Sequence, residues 1–469
     1  MSKLSVGSCP VLLKWHCFKG IRQTQAPIDS LPNEIVCEIL TTAIETTLPL
    51  GDAHRVRKLE LATVCRRWGD IIFHTPLLWT FIEVSRQWLL VMPLLKAHVE
   101  RSQECPLVIE WYGSEGAWRE GSFDEAMLDM VVATAYRWCC LTIIDYDDGC
   151  RPLVPDEIGC PVFPLLTHLC LSGLYWLHRP EFLYPEYVPA LECLEASISA
   201  FIPDAPFLPA LEELTINSFC HWTSRSLQFL SFQGLEVLSL YGYTGKEPIQ
   251  PDIVHLPVLT RLSFNVSHAE QLLRILSTPS LTDVVYMQQR YETLFTAFNG
   301  IPSKWANVHD LVLRLQFKWR YNSPGEDYRV GLPALCLAAP EVRSIKVMAI
   351  DLHELLHCQQ GIFPIDHWVH LEQFTIACNE FHKLSDMGKH IVPWLKQRRD
   401  TGKPALSLSF LMDGDVDKAA TDPLNTMVLD DMGQYCDRVE LCEGGGYLSG
   451  GCGEEREWKW CDTCYTYIQ

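Results

Sequence analysis

An apolar pattern, L-x-x-L-x-L, returns at nearly even intervals along the chain and limits its possible folds more than any other feature. It stands at Leu166/Leu169/Leu171, Leu191/Leu194/Ala196, Leu211/Leu214/Ile216, Leu235/Leu238/Leu240, Leu259/Leu262/Phe264 and Leu281/Val284/Tyr286. It continues at Val308/Leu311/Leu313, Val342/Ile345/Val347 and Leu371/Phe374/Ile376. The first six copies start 20 to 25 residues apart, and the next three intervals are 27, 34 and 29. Inside each copy the apolar positions alternate with other residues, as in a short strand with one buried face. One such strand cannot bury its face alone, so the copies must stack on one another.

Proline precedes several copies (Pro164, Pro189, Pro209, Pro257, Pro279), stopping any preceding helix in the same register each time. Weaker copies stand at Trp138/Leu141/Ile143, Ala405/Leu408/Phe410 and Cys436/Val439/Leu441. The period is that of leucine-rich repeats. The predicted fold class is α/β, with an irregular leucine-rich-repeat-type solenoid over residues 105–441. The Asn that often follows three residues after the last apolar position is mostly missing, and only Asn379 fits, so the repeats are expected to curve unevenly.

Residues 28–82 follow a helical period instead. Asp29 or Ser30 can cap a helix that opens with Leu31-Pro32. Ile35, Val36, Ile39 and Leu40 recur at helical spacing, and a loop is expected around 46–54. A second helical stretch from about Arg55 carries Leu59, Leu61, Ala62, Val64, Cys65, Trp68, Ile71 and Ile72. A further amphipathic helix is predicted over 86–101, with Trp88, Leu89, Met92, Leu95 and Val99. The expected organisation is an arm at 1–27, a three-helix module at 28–82, a linker helix at 83–104, the repeats at 105–441 and a Cys/Gly-rich acidic tail at 442–469.

The segment Leu31-Pro-Asn-Glu-Ile-Val-Cys-Glu-Ile-Leu40, then Val64-Cys-Arg-Arg-Trp-Gly-Asp-Ile-Ile72 and Pro76-Leu-Leu-Trp79, resembles an F-box. With the repeats that follow, the chain is similar to the large fungal family of F-box-like proteins with degenerate leucine-rich repeats. The resemblance implies a non-catalytic substrate receptor of a Skp–cullin–F-box ubiquitin ligase. The module would dock on the Skp adaptor, and through it on the cullin, while the repeats bind an unknown target protein. It implies adaptor contacts at Leu31, Pro32, Ile35, Ile39, Val64, Cys65 and Trp68. Ile71, Ile72 and Trp79 read as packing residues within the module. Physical chemistry agrees: a module this small closes a poor core and leaves apolar surface for a partner. The alternative is a repeat-based interaction scaffold with no ligase role.

Composition narrows the partners. Lys and Arg number 38 against 58 Asp and Glu, a net charge of −20, which opposes binding to a phosphate backbone. Residues 400–469 hold 14 of the acidic and 5 of the basic side chains. Twenty cysteines are scattered along the chain, many in strand-like runs (Cys139, Cys140, Cys170, Cys193), as small buried hydrophobes of a reducing compartment, which the family resemblance implies to be the cytoplasm, the nucleus or both. The sequon at Asn265 is then expected to be silent, and no apolar run is long enough to span a membrane.

Chemistry has weaker footing. His353-Glu-Leu-Leu-His357 matches H-E-x-x-H, the spacing that sets two zinc ligands one helical turn apart beside a glutamate base. It falls between two repeats, however, where Leu352, Leu355 and Leu356 are expected to face the core and Gly361 and Pro364 end the helix early. A zinc hydrolase is therefore the third reading. Cys442, Cys452, Cys461 and Cys464 could form a structural metal site or remain free thiols, since their spacing matches no standard zinc ribbon. Asp413-Gly-Asp-Val-Asp417 lacks the glycine and glutamate of a calcium loop, and Gly444–Gly446 belong to no phosphate-binding motif. No cofactor is expected. For target contacts the candidates are Glu192, Glu212, Glu213 and Arg261, with Tyr241-Gly-Tyr243 and Trp319-Arg-Tyr321 as aromatic loops.

Overall fold

The computed structural model describes residues 27–45, 52–84, 92–112, 125–144, 162–172, 183–197, 208, 210–222, 233–244, 254–267, 270–287, 304–314, 332–349, 352–356, 363–378, 383–412 and 416–443. The chain forms two compact units, which divide between Thr75 and Pro76.

The first unit holds a 3-10 turn at Pro27–Ser30 and three helices, α1 (Asn33–Glu45), α2 (Asp52–Val64) and α3 (Arg66–His74). Val36, Leu40 and Ile44 recur every four residues on α1 and are buried together with Leu61, Ile71 and Ile72. Gly69 of α3 lies so close to α2 that a Cβ there would stand 2.9 Å from the Ala62 carbonyl oxygen.

Lys58 of α2 is buried, and burial pulls its pKa from 10.5 down to about 8. The folded value is therefore below the unfolded one, so between them the unfolded chain binds more protons. Stability of this unit should rise as the pH goes from about 8 towards 10.5. Denaturation midpoints measured at about pH 7 and about pH 10 check this, and Lys58→Met should flatten the dependence.

The second unit is built on one parallel sheet of fourteen strands. These are β1 (Phe81–Val84), β2 (Leu107–Tyr112), β3 (Trp138–Ile144), β4 (His168–Ser172), β5 (Cys193–Ser197), β6 (Glu213–Trp222) and β7 (Val237–Thr244). After them come β9 (Arg261–Ser267), β11 (Asp283–Met287), β12 (Asp310–Arg314), β13 (Ser344–Met348), β14 (Gln373–Cys378), β15 (Ser407–Met412) and β16 (Arg438–Glu443). Strands β8 (Val254–His255) and β10 (Leu276–Ser277) pair separately with each other. Each strand of the large sheet pairs with its neighbours in chain order.

The register turns the sequence pattern into two rows. Leu169, Leu194, Leu214, Leu238, Leu262 and Val284 stand side by side, as do Leu171, Ala196, Ile216, Leu240, Phe264 and Tyr286. From Leu141 and Ile143 on β3 to Leu408 and Phe410 on β15, every member of both rows is at most 5% exposed. Residues between them, such as Thr142, Thr215, Val312 and Ser409, are half-buried on the opposite face. Each copy of the pattern, including the three weaker ones, thus supplies one strand.

Two features differ from expectation, and a third was not anticipated. First, Phe81–Val84 belongs to the sheet, and Trp79 is buried in the second unit, edge-on to His98 at 4.9 Å with the Arg101 guanidinium 4.8 Å from its ring. The compact helical unit therefore ends at Thr75, not at 82. The helix expected over 86–101 is described from Met92 to Arg101. Second, Tyr241-Gly-Tyr243 lies inside β7 and is not a loop. Gly242 makes this possible with φ of 126°, a conformation that side-chain-bearing residues rarely adopt. Third, the interval between the repeats at 371 and 405 holds a 17-residue helix, Leu384–Asp400, despite Pro393 inside it.

That helix carries a buried polar cluster into the sheet's apolar layer. Trp394 Nε1 donates to Asp366 Oδ1 at 3.1 Å, and Arg398 Nη1 lies 3.6 Å from the same oxygen. Arg398 also donates to the carbonyls of Leu371 and Pro404, and Lys403 Nζ donates to the Asp366 carbonyl at 2.8 Å. Among the described residues no helix is long and apolar enough to cross a membrane.

A candidate partner interface on the helical unit

Helix α1 has two apolar sides. Val36 and Leu40 are fully buried, whereas Ile35 and Ile39, also one turn apart, are 42% and 39% exposed. The burial of one pair fixes the exposure of the other, because neighbours in a helix point about 100° apart. On α2, Leu61 is buried while Leu59 and Val64 are 43% and 56% exposed. On α3, Ile71 and Ile72 are buried and Phe73 is 38% exposed. In a unit of this size, five exposed large apolar side chains form unusually rich material for a partner.

The start of α1 is fastened to α3 by one side chain. Arg67 donates to Asn33 Oδ1 at 2.8 and 3.0 Å through two of its nitrogens, and to the carbonyls of Leu31 and Ile28. Leu31 and Pro32 are thereby held at the helix start, Leu31 half-buried and Pro32 exposed. Cys65 sits between α2 and α3 as the cap of α3, its Sγ accepting from the Trp68 backbone N–H at 3.5 Å. Both Cys65 and Trp68 are half-buried. The seven residues expected to contact an adaptor are thus all at least partly accessible. Ile71 and Ile72, read as packing residues, are in the core.

Arg67 is the residue that pattern reading passes over. It lies in the Val64–Ile72 segment, but no periodicity tells that its side chain reaches back 36 residues to Leu31. A groove beside this clamp is lined by Glu34, Cys37, Arg66, Arg67, Asp70 and His74, with Arg66 and Asp70 paired at 3.8 Å across one turn. Its charges balance, so it favours neither an anion nor a cation.

The other candidates scatter. Helix Leu352–Leu355 buries Leu352 and Leu355 in the core of the second unit, and His353 and Glu354 belong to this helix while His357 lies outside the described residues. Cys442 is half-buried on β16, and Cys452, Cys461 and Cys464 lie outside the described residues, as do Asn379, Trp319 and Tyr321. No group of three or more His, Cys, Asp or Glu among the described residues is placed to hold a metal ion. Asn265 is 2% exposed within β9. Glu192, Glu212 and Arg261 stand at the starts of their strands, Glu192 and Glu212 exposed and joined by a 2.9 Å backbone bond. Tyr241 stands on the sheet face opposite the buried rows, its hydroxyl 3.3 Å from Ser263 Oγ. Burial raises the Tyr241 pKa, against the hydrogen bonds from Ser263 and Ser239, and Glu195 and Glu213 push it further up.

No family model matches the chain, and no curated protein matches it significantly.

Proposed function

We propose that the chain is a non-catalytic substrate receptor of a Skp–cullin–F-box ubiquitin ligase. The first unit is an F-box-like module that docks on the Skp adaptor, and the parallel sheet with its connections is an irregular leucine-rich-repeat-type solenoid that captures the target. The observation carrying this reading is the split of α1: the residues that the resemblance assigns to the adaptor, Ile35 and Ile39, are the exposed pair, while Val36 and Leu40 build the core. Val64 at 56% exposed follows the same rule on α2.

Further support comes from the cysteines. The eleven in the described residues are all free thiols, in keeping with a reducing cytoplasmic or nuclear compartment. Burial lifts the Cys378 and Cys436 thiols to about 12, so these two serve as packing groups and not as nucleophiles.

Calorimetric titration of the full chain with a Skp-type adaptor tests the proposal. Ile35→Ser and Val64→Ser should each weaken binding by about tenfold to a hundredfold, the range of a buried apolar anchor lost from an interface. Neither should lower the denaturation midpoint, because both side chains are exposed in the free chain. Unchanged binding in both variants would refute this docking face.

A further inference from the structure

The stretch from Pro27 to Asn33 has little of its own to hold it in one conformation. Pro27 and Pro32 carry no backbone N–H, and the turn between them is closed by the Leu31 N–H donating to the Ile28 carbonyl at 3.3 Å. Its fastening comes from across the unit. The Arg67 guanidinium, on α3, donates to the Ile28 carbonyl at 3.5 Å, to the Leu31 carbonyl, and to Asn33 Oδ1 at 2.8 and 3.0 Å. One planar group therefore grips the chain on both sides of Pro32, at acceptors 34 to 39 residues away in sequence. With these acceptors engaged by α3, Pro32 is left exposed and Leu31 half-buried.

We infer that Arg67 is a positioning residue for adaptor docking: it presets the Leu31-Pro32 step, so that binding does not have to order it. The inference rests on the ligase reading above and adds a residue that acts through two of its contacts. Ordering one or two backbone residues at the moment of association weakens it by about tenfold or more, and preorganisation removes that loss. The fork matters as much as the charge, because a lysine ammonium has no planar pair of donors to bridge a side chain and two carbonyls.

Calorimetric titration of the full chain with a Skp-type adaptor tests this, using Arg67→Met, Arg67→Lys, Leu31→Ala/Pro32→Ala and the triple combination with Arg67→Met. Arg67→Met should weaken binding by about tenfold, and Arg67→Lys nearly as much. In the Leu31→Ala/Pro32→Ala background the same change should cost less than about twofold, because the step it positions is already lost. Hydrogen exchange of the free chain supplies a second readout. In Arg67→Met the Leu31 and Val36 amides, bonded to the Ile28 and Pro32 carbonyls, should exchange faster while the α3 amides keep their protection. If Arg67→Met does not fold, Asn33→Ala removes one acceptor of the same guanidinium from an exposed position and should weaken binding severalfold. Parent-like binding by the variants overturns the inference and leaves the ligase reading standing, and so does full additivity with Leu31→Ala/Pro32→Ala. A folded parent that does not bind the adaptor overturns both.

Discussion

Replacing Asp366 with alanine is expected to cost about 3–5 kcal/mol, the range for breaking a buried ion pair by removing one partner. Asp366 holds Trp394, Arg398 and Lys403 at once, and Arg398 is 2% exposed. Burial already pulls the Arg398 pKa below its usual value, and the nearby Asp366 charge is the main influence holding it up. Without that carboxylate a guanidinium stays in the apolar layer with only carbonyl partners. The double variant Asp366→Leu/Arg398→Met should recover much of the loss, because it removes both charges and keeps the volume. Urea midpoints of the two variants check this. As a contrast, Asp386→Ala should leave the midpoint unchanged although its bond to Lys389 is 2.7 Å, because both partners are exposed.

Phe264→Ala should be comparably damaging, at about 3–5 kcal/mol for a large aromatic deleted from a packed core. The ring sits in the buried row of β9, 4.7 Å from the Tyr286 ring and 5.8 Å from that of Trp305. Ser409→Ala, on the opposite face of β15, should change stability by less than about 0.5 kcal/mol. Thermal unfolding of the pair decides whether the alternation along each strand separates inside from outside. Equal effects would mean that the rows are misassigned.

The strands were the legible part of this fold, because period-two alternation states which side chains meet the core and the 20- to 25-residue spacing sets neighbours side by side. Even the degenerate copy at Cys436/Val439/Leu441 marks a strand. Strand β1 was not legible: four residues are too few to show a period, and they follow directly on a helical segment. Helix Leu384–Asp400 was hidden by Pro393, which reads as a stop. Its neighbours override that signal by burying Ile391, Trp394 and Leu395. In the first unit the sequence pattern marks the helical stretches but runs α2 and α3 together across the break at Cys65 and places the start of α2 in a loop, and it gives no partner to Arg67, whose bonds to Leu31 and Asn33 exist only once α1 and α3 have packed. The exposed apolar residues of that unit were legible for the opposite reason: a helix with apolar residues on two sides can bury only one of them.

The decisive measurement is co-purification of the folded full chain with a Skp-type adaptor. A stable one-to-one complex, lost when Ile35 and Val64 are both replaced by serine, is the result expected of a ligase receptor. A parent chain that keeps its native circular dichroism and still fails to bind the adaptor would contradict that function, and would leave the large parallel sheet as an interaction scaffold without a ligase.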